Sequence, residues 1–180
     1  MSDLAEVRKE LGLVHIYTGD GKGKSTAAFG LAFRAAGRDL NVLIIQFMKP
    51  ADGFGEQVAC TRFPNIEIHS LGLDHFVSMK PKAEDIEAAK STLKLASDLM
   101  ATGRYDVAIL DEALNAVRMN LYSDKDLIDA LKARPGHIEV VLTGRGTTPA
   151  LEEYADYITE MKPHKHPYDR GVDARVGIEF

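Results

Sequence analysis

One glycine-rich segment near the amino end constrains the fold of this chain more than any other feature of the sequence. An apolar run begins at Leu13, the turn reads Thr-Gly-Asp-Gly-Lys-Gly-Lys-Ser-Thr over residues 18–26, and an alanine-rich run continues to Arg34. A strand, turn and helix of this kind hold phosphates, because the glycines let backbone N–H groups converge at a helix N-terminus. Lys24 adds a positive charge, and the hydroxyl of Ser25 is placed for Mg²⁺. The segment therefore predicts a site for a nucleotide polyphosphate.

The turn departs from the usual phosphate-binding consensus at one position. The consensus has four residues between its first glycine and the Gly-Lys-Ser, which puts that glycine at position 18, and here that position is Thr18. The intact Gly-Lys-Ser and its context still favour phosphate binding over a turn that only joins a strand to a helix. The predicted nucleotide-binding residues of this segment are Thr18, Gly19, Asp20, Gly21, Lys22, Gly23, Lys24, Ser25 and Thr26.

Apolar runs further along the chain indicate the fold class. The nearly continuous runs at 42–47, 105–112 and 137–142 are typical of parallel strands that are covered on both faces. Apolar residues spaced by three and four over 82–102 predict an amphipathic helix. The pattern predicts an α/β fold, a single-domain RecA-like P-loop three-layer sandwich with a mostly parallel sheet. The remaining predictions are strands at 13–17, 66–71 and 157–161, an edge strand at 175–180, a loop at 48–61, and helices at 1–12, 24–36, 113–121, 124–133 and 148–154.

Composition narrows the classes of function. The chain has 180 residues, which suits one domain over 13–180 with a short amino-terminal segment over 1–12. Its net charge of −5 does not favour general affinity for nucleic acid. The first ten residues lack the apolar centre of a signal peptide, and no apolar run is long enough to span a bilayer. We therefore expect a cytoplasmic protein without a nucleic-acid or membrane partner, in which the single cysteine, Cys60, has a packing role.

Polar residues at the ends of two later strands complete the predicted site. Asp111 ends an apolar strand, where it is expected to reach Mg²⁺ opposite Ser25. Glu112 could hold the metal, orient a water or only cap the next helix. Arg145 lies in a glycine-flanked turn and either binds a phosphate or carboxylate or is a solvated loop charge. His164 and His166 lack a third ligand at metal-binding spacing, so a basic lip of the pocket is favoured over a metal site.

Taken together, these motifs resemble the P-loop type of ATP:corrinoid adenosyltransferase. The resemblance spans residues 13–180 in order, and it makes the threonine at position 18 a family trait. The matching segments are Thr18-Gly19-x-Gly21-Lys22-Gly23-Lys24-Ser25-Thr26-Ala27-Ala28-Phe29-Gly30, Arg34, Gln46-Phe47-x-Lys49, Gly55-Glu56, Leu110-Asp111-Glu112, Thr143-Gly144-Arg145-Gly146 and Gly171-Val172-x-Ala174-x-x-Gly177-Ile178-Glu179.

The resemblance implies a reaction and its partners. Such an enzyme transfers the 5′-deoxyadenosyl group of ATP to the cobalt(I) of a reduced corrinoid and releases triphosphate, in adenosylcobalamin biosynthesis or salvage. It implies a homodimer, ATP as co-substrate with Mg²⁺, a corrinoid lying over the nucleotide, and a flavoprotein as a candidate reductant. Residues 1–12 would help to cover the corrinoid. The triphosphate is also hypothesised to sit in the loop in the opposite sense from that in an ATPase.

The resemblance also implies roles for individual residues. The catalytic residues would be Lys24, Asp111 and Glu112, and Ser25, Asp111 and Glu112 would hold Mg²⁺. Arg34 and Arg145 would join the phosphate loop in binding ATP. The corrinoid-binding residues would be Gln46, Lys49, Glu56, His75 and Phe76.

Two points stay open at the level of sequence. Some relatives carry a Phe-x-Trp pair that helps to make the corrinoid four-coordinate, and this chain has no tryptophan. Either His75 or Phe76 takes over that work, or reduction is handled differently. The alternative function is a RecA-like ATPase or nucleotide-dependent regulatory module, in which Glu112 positions water and Arg145 senses the γ-phosphate. A small-molecule kinase would need a base beside an acceptor hydroxyl, and no loop of the sequence carries a pattern that indicates such a site.

Overall fold

A six-stranded parallel sheet is the frame of the molecule, and its carboxyl edge carries the candidate site. The structure is a computed structural model that describes residues 4–75 and 77–180. The strand order is β3-β2-β4-β5-β1-β6, and every pairing described between neighbours is parallel. The strands are β1 (Val14–Thr18), β2 (Val42–Gln46), β3 (Ile66–Ser70), β4 (Val107–Asp111), β5 (Glu139–Thr143) and β6 (Tyr157–Glu160).

Helices cover both faces of this sheet, so the fold has three layers. One face packs against α1, α2 and α3, and the other packs against α4, α5, α6 and α7. The interior strands β2 and β4 are buried at every residue, as their continuous apolar runs require. The helices are α1 (Leu4–Lys9), α2 (Lys24–Ala36), α3 (Gly55–Cys60), α4 (Ala83–Ala101), α5 (Ala113–Arg118), α6 (Asp124–Lys132) and α7 (Pro149–Tyr154), followed by a 3₁₀ turn at Pro167–Arg170.

The predicted fold class is confirmed, and the parallel order explains why the predicted site residues converge. In a parallel sheet the carboxyl ends of the strands lie at one edge, where open α/β sheets bind their ligands. The strands β1, β2, β4 and β5 end at Thr18, Gln46, Asp111 and Thr143. Residues that are far apart in sequence therefore meet at one edge of the sheet.

Two local predictions were wrong. The segment predicted as a loop over 48–61 contains α3, in which the side chains of Gln57 and Cys60 are buried. The predicted edge strand at 175–180 is a turn instead, because Gly177 has a φ of 77° and the N–H groups of Ile178 and Glu179 both donate to the carbonyl of Arg175. The glycines before α3 suggested a loop, whereas its burial depends on contacts with distant residues.

The amino-terminal helix α1 lies at the opposite edge of the sheet from the strand ends described above. Arg8 makes a two-point ion pair with Asp106, with Nε–Oδ1 and Nη2–Oδ2 distances of 2.5 and 3.1 Å. Asp106 directly precedes β4 and therefore marks the amino edge. Leu4 and Val7 pack on the α2 side of the sheet. The expectation that residues 1–12 help to cover a corrinoid stays a prediction. Within residues 4–75 and 77–180, none of the helices has the length and apolar character needed to cross a membrane.

Candidate active site

A cleft of about 720 Å³ opens at the carboxyl edge of the sheet. The turn between β1 and α2 forms one side, and the start of α3 contributes Phe54, Gly55 and Glu56. Residues from several other parts of the chain complete the lining. They are Lys49, Glu112, Arg145 and His166, the α2 residues Phe29, Gly30 and Phe33, and residues 177–180 at the end of the sequence.

The glycine-rich turn is held in place by the strand next to it. The N–H of Gly21 donates to the carbonyl of Met161 over 2.7 Å. A Cβ atom at Gly19 or Gly21 would lie only 2.5 or 2.6 Å from that same oxygen, so a side chain at either position would displace the turn. Gly23, with a φ of 119°, then turns the chain into α2. The turn therefore has the backbone shape that the sequence predicts for phosphate binding.

Thr18 occupies the position where the consensus has its first glycine. Its carbonyl accepts the N–H of Met161 over 2.8 Å, which fixes the start of the turn. The side chain is buried, and its hydroxyl has no hydrogen-bond partner within the described part of the chain. Thr18 therefore belongs to the wall under the turn, whereas residues 20–26 line the cleft itself.

Lys24 lies inside the turn and is only 9% exposed. Its Nζ donates to the carbonyl of Gly21 over 2.7 Å. Burial lowers the pKa of Lys24 from its ordinary value, and the positive charge of Arg145 acts in the same direction, against the carboxylate of Glu112. Among the described residues the ammonium of Lys24 hydrogen-bonds to this one carbonyl, which a phosphate oxygen could replace.

Asp111 is the fully buried carboxylate at the centre of the site. Thr143 donates its hydroxyl to Oδ1 over 2.7 Å, and Lys49 places its Nζ 2.9 Å from Oδ2. Burial alone would raise the pKa of Asp111. The attraction of Lys49, together with hydrogen bonds that include one from Ser25, outweighs burial and lowers this pKa. Asp111 is therefore ionised, and Ser25 is one of its hydrogen-bond donors. That these two residues hold Mg²⁺ stays a prediction.

Lys49 links the buried carboxylate of Asp111 to Glu56, which lines the cleft. Besides Asp111, it contacts Glu56 Oε1 at 3.2 Å, and its ammonium lies 5.0 Å from the centre of the Phe54 ring. Burial opposes its charge, but the two carboxylates outweigh that effect and raise the pKa of Lys49. Lys49 thus stays charged within the same cleft as the phosphate-binding turn.

Glu112 caps α5 in a left-handed conformation, with a φ of 65°. Its N–H donates to the Thr143 hydroxyl over 2.9 Å, and its carboxylate accepts a hydrogen bond from the Asn115 amide. Burial, followed by the neighbouring charge of Asp111, raises the pKa of Glu112. The same side-chain amide also holds the turn that follows β5, because the N–H of Arg145 donates to Asn115 Oδ1 over 2.6 Å. Asn115 therefore fixes the positions of both candidate site residues.

Other predicted site residues lie at varying distances from this centre. Gln46 is fully buried and bonds to Asp111 Oδ2 at 3.2 Å and to Gln57. Arg34 lies on the exposed side of α2, outside the described lining of the cleft. His75 pairs with Asp85 of α4 at 2.8 Å. The prediction for Phe76 falls outside the described residues.

Three supporting residues were missed at the level of sequence. Thr143 bonds to Asp111, Asn115 joins Glu112 to the Arg145 turn, and Gln57 bonds to Gln46, to the carbonyl of Pro50 and to Ser70. Thr143 could have been identified as a candidate site residue from the sequence, since it ends an apolar strand as Asp111 does. No sequence pattern marks Asn115 or Gln57 as a site residue, because their roles depend on partners from other elements. Within the described residues no group of three or more His, Cys, Asp or Glu side chains forms a metal-binding cluster, His164 and His166 included.

Comparison with known proteins shows the family of the chain. The sequence profile of the family described as ATP:corrinoid adenosyltransferase BtuR/CobO/CobP matches residues 10–180. The corrinoid adenosyltransferase of Pseudomonas aeruginosa is 37% identical over 179 residues, which cover 98% of this chain and 88% of the relative. The corrinoid adenosyltransferases of Salmonella typhimurium and Escherichia coli are 33% and 32% identical, and each alignment covers 98% of this chain and 90% of the relative. With a match over nearly its whole length, the chain belongs to the ATP:corrinoid adenosyltransferase family.

Proposed function

We propose that this protein transfers the 5′-deoxyadenosyl group of ATP to the cobalt(I) of a reduced corrinoid, releasing triphosphate, in adenosylcobalamin biosynthesis or salvage. The observation that carries the proposal is the geometry at the sheet edge. Lys24 and Ser25 belong to a turn of phosphate-binding shape that lines the cleft, and the buried, ionised Asp111 contacts Lys49, which lines the same cleft. Membership of the adenosyltransferase family then favours this reaction over those of other P-loop proteins.

The chemistry requires positioning rather than proton transfer. Cobalt(I) donates an electron pair to C5′, and the C5′–O bond breaks so that its electron pair leaves on the triphosphate. Because cobalt(I) carries no proton, no general base is needed at C5′. The protein must align C5′ and stabilise the leaving charge. We assign the leaving triphosphate to Lys24 and the backbone N–H groups of the turn, with Arg145 at the phosphate end.

The oxygen ligands of the site fit Mg²⁺. Mg²⁺ prefers carboxylate and hydroxyl oxygens and binds through one or two carboxylates together with phosphates. The Ser25 hydroxyl and the Asp111 carboxylate would hold it, and Glu112 would bind the metal or one of its waters. When bound, the metal would offset the negative charge of the triphosphate. Lys49 supports this arrangement, because its contact with Asp111 Oδ2 keeps that carboxylate ionised.

We propose that the corrinoid lies over the nucleotide. The burial of each candidate corrinoid-binding residue decides whether a bound corrinoid can reach it. Gln46 is fully buried, so its role is to hold Asp111 and Gln57 rather than to touch a corrinoid. Lys49 and Glu56 line the cleft and are partly exposed, which leaves them within reach of a bound corrinoid. His75 and Phe76 remain proposals, as does the hypothesis that the triphosphate lies reversed in the turn.

The same proposal includes the assembly and its setting. We expect a homodimer in the cytoplasm, with a flavoprotein as a candidate source of electrons. Strand β6 supports the dimer, because its residues are exposed throughout and include the apolar Tyr157 and Ile158. Light scattering of the purified protein tests the dimer, and a monomer at micromolar concentration would contradict it. The alternative of a RecA-like ATPase or regulatory module is not favoured by the family match.

The deciding experiment is anaerobic incubation with MgATP and chemically reduced cobalamin. The cobalt(I) spectrum should disappear as adenosylcobalamin and triphosphate form. Lys24→Ala should slow the transfer by about 100-fold or more, as expected for loss of one donor to a leaving charge. Lys94→Ala, at an exposed site on α4, is the matched control and should react like the unchanged protein. Release of ADP and phosphate without transfer to a corrinoid would contradict the proposal.

A further inference from the structure

The end of the sequence forms part of the nucleotide cleft, although the phosphate chemistry above does not use it. Residues 177–180 line the cleft together with the phosphate-binding turn. We propose that this segment, called the terminal turn below, is the wall that holds the adenosine half of ATP, and that Lys22 is the positioning residue that ties it to the phosphate-binding turn. The inference rests on the proposed function in taking ATP as the ligand.

The side chain of Lys22 contacts the terminal turn. Its Nζ donates to the carbonyl of Ile178 over 2.9 Å and lies 4.0 Å from Glu179 Oε1. Lys24, by contrast, turns inward to the carbonyl of Gly21. The two lysines of the same loop therefore have different partners. Lys24 is placed for phosphate, and Lys22 joins the loop to the terminal turn.

The terminal turn has a defined shape of its own. Gly177 has a φ of 77° and donates its N–H to the carbonyl of Phe180 over 2.7 Å. Arg175 closes the turn from the other side through an ion pair with Glu179, with an Nη2–Oε1 distance of 3.1 Å. Internal bonds fix its shape, so contacts with other segments must fix its position. The Lys22 contact provides one, and the approach of Phe180 O to within 4.0 Å of a Cβ built on Gly55 shows how closely it lies to α3.

The terminal turn adds two apolar side chains to the cleft, beside the carboxylate of Glu179. Ile178 and Phe180 are 55% and 37% exposed, and both line the cleft. Phe29, Phe33 and Phe54 also line the cleft. The cleft thus combines a lysine in a phosphate-binding turn with a group of aromatic and apolar side chains, which fits a ligand with a charged tail and a flat ring system. With the triphosphate at Lys24, the adenosine is the half of ATP that meets these side chains.

A wall on the adenosine side serves the proposed reaction directly. The bond that breaks lies between C5′ and the triphosphate, so the adenosyl group must stay fixed while the triphosphate leaves. Because Lys22 belongs to the loop that holds the triphosphate, its contact sets the distance between the two halves of the site. Such coupling keeps C5′ aligned with an incoming nucleophile.

Binding measurements with two ligands test the inference. We expect Lys22→Met to weaken the binding of ATP by about tenfold, as for loss of a partly exposed charged hydrogen bond, and to leave the binding of inorganic triphosphate within about twofold. Phe180→Ala should give the same pattern. The matched control is Val176→Ala, which changes an 82% exposed side chain in the same region outside the described cleft lining. Calorimetry at physiological ionic strength provides both dissociation constants.

The outcomes separate this inference from the proposed function. If the unchanged protein binds no ATP, the proposed function fails. If it binds ATP but Lys22→Met loses ATP and triphosphate equally, Lys22 is a phosphate ligand and the inference is overturned. Equal binding of ATP by the unchanged protein, Lys22→Met and Phe180→Ala would also overturn it.

A fluorescent reporter gives a second, independent reading. Because the chain has no tryptophan, Phe180→Trp introduces a single one into the terminal turn. ATP should shift the emission of this variant, and inorganic triphosphate should not. Val176→Trp, the matched reporter outside the cleft lining, should respond to neither ligand. An identical response of both reporters to ATP would contradict contact between adenosine and the terminal turn.

Discussion

At the scale of single residues, the ion pair between Lys49 and Asp111 sets the charge balance of the cleft. Asp111 has no exposed surface, and the Lys49 ammonium lies 2.9 Å from it. Lys49→Met would leave a buried carboxylate without its cation, which typically costs about 3 kcal/mol. We therefore expect the free energy of unfolding in urea to fall by about that amount. Lys82→Met, which breaks a pair exposed at both ends, should cost less than about 1 kcal/mol.

A double variant tests whether the loss comes from the unpaired charge. Lys49→Met combined with Asp111→Asn removes both charges, so most of the lost stability should return. If the double variant is as unstable as the sum of the two single changes, the ion pair is not the cause, and the Lys49 side chain acts through packing against Phe54 instead.

At the scale of elements, helix α3 can be followed through its single thiol. Cys60 ends this helix and is fully buried, and burial, with a smaller effect of Glu56, raises its pKa to about 11. At pH 8 only about 0.1% of such a thiol is ionised, against about 10% at the ordinary value of 9.0. A thiol reagent should therefore label the folded protein at least about 100-fold more slowly than the protein in urea. Equally fast labelling would show that α3 opens readily.

The same thiol makes stability depend on pH at the alkaline end. The folded pKa lies above the unfolded one, so the folded state favours the protonated thiol. The contribution is complete below pH 9 and is lost as the pH rises towards about 11. Urea unfolding across this range should show a shallower fall in stability for Cys60→Ala than for the unchanged chain. Parallel curves would mean that the thiol ionises equally in both states.

Elements whose burial follows from their own sequence were the ones that could be predicted. The run at 42–47 is apolar throughout because β2 is buried on both faces, and the spacing of three and four over 82–102 matches α4. Helix α3 was missed because Gln57 fixes it by bonding to Gln46, Pro50 and Ser70, none of which its own six residues specify. The terminal turn was mistaken for a strand because its own residues alternate between polar and apolar. Its contact with Lys22 depends on the tertiary structure and cannot be inferred from those residues.

The same distinction between local patterns and distant contacts applies to the residues of the candidate site. Lys24, Ser25 and Asp111 could be predicted because each stands in a short pattern at a strand end, where parallel order brings them together. The partner of Lys49 could not be predicted from spacing, since 62 residues separate it from Asp111. Asn115 likewise acts only because α5 places it between Glu112 and the Arg145 turn. Contacts between side chains of different elements depend on the tertiary structure, so local sequence patterns do not predict them.

At the scale of the whole molecule, the site is assembled from segments that span nearly the whole chain. The cleft lining runs from residue 20 to residue 180 and includes groups that follow β1, β2, β4 and β5. A ligand that contacts all of these segments binds only when the sheet is intact. ATP should therefore stabilise the fold as a unit rather than one loop of it.

This coupling gives a prediction for thermal unfolding. At a free ATP concentration 100 times its dissociation constant, with Mg²⁺, binding should add about 2.7 kcal/mol. For a chain of this size that corresponds to a rise in melting temperature of about 5–10 °C. Removing Mg²⁺ with a chelator should reduce the rise, because the charge of the triphosphate would then be offset by Lys24 and its neighbours alone. Lys24→Ala should show little rise at the same ATP concentration, measured from its own melting temperature without ATP, since the change weakens binding. An equal rise in Lys24→Ala would place the ATP that stabilises the fold somewhere other than the phosphate-binding turn.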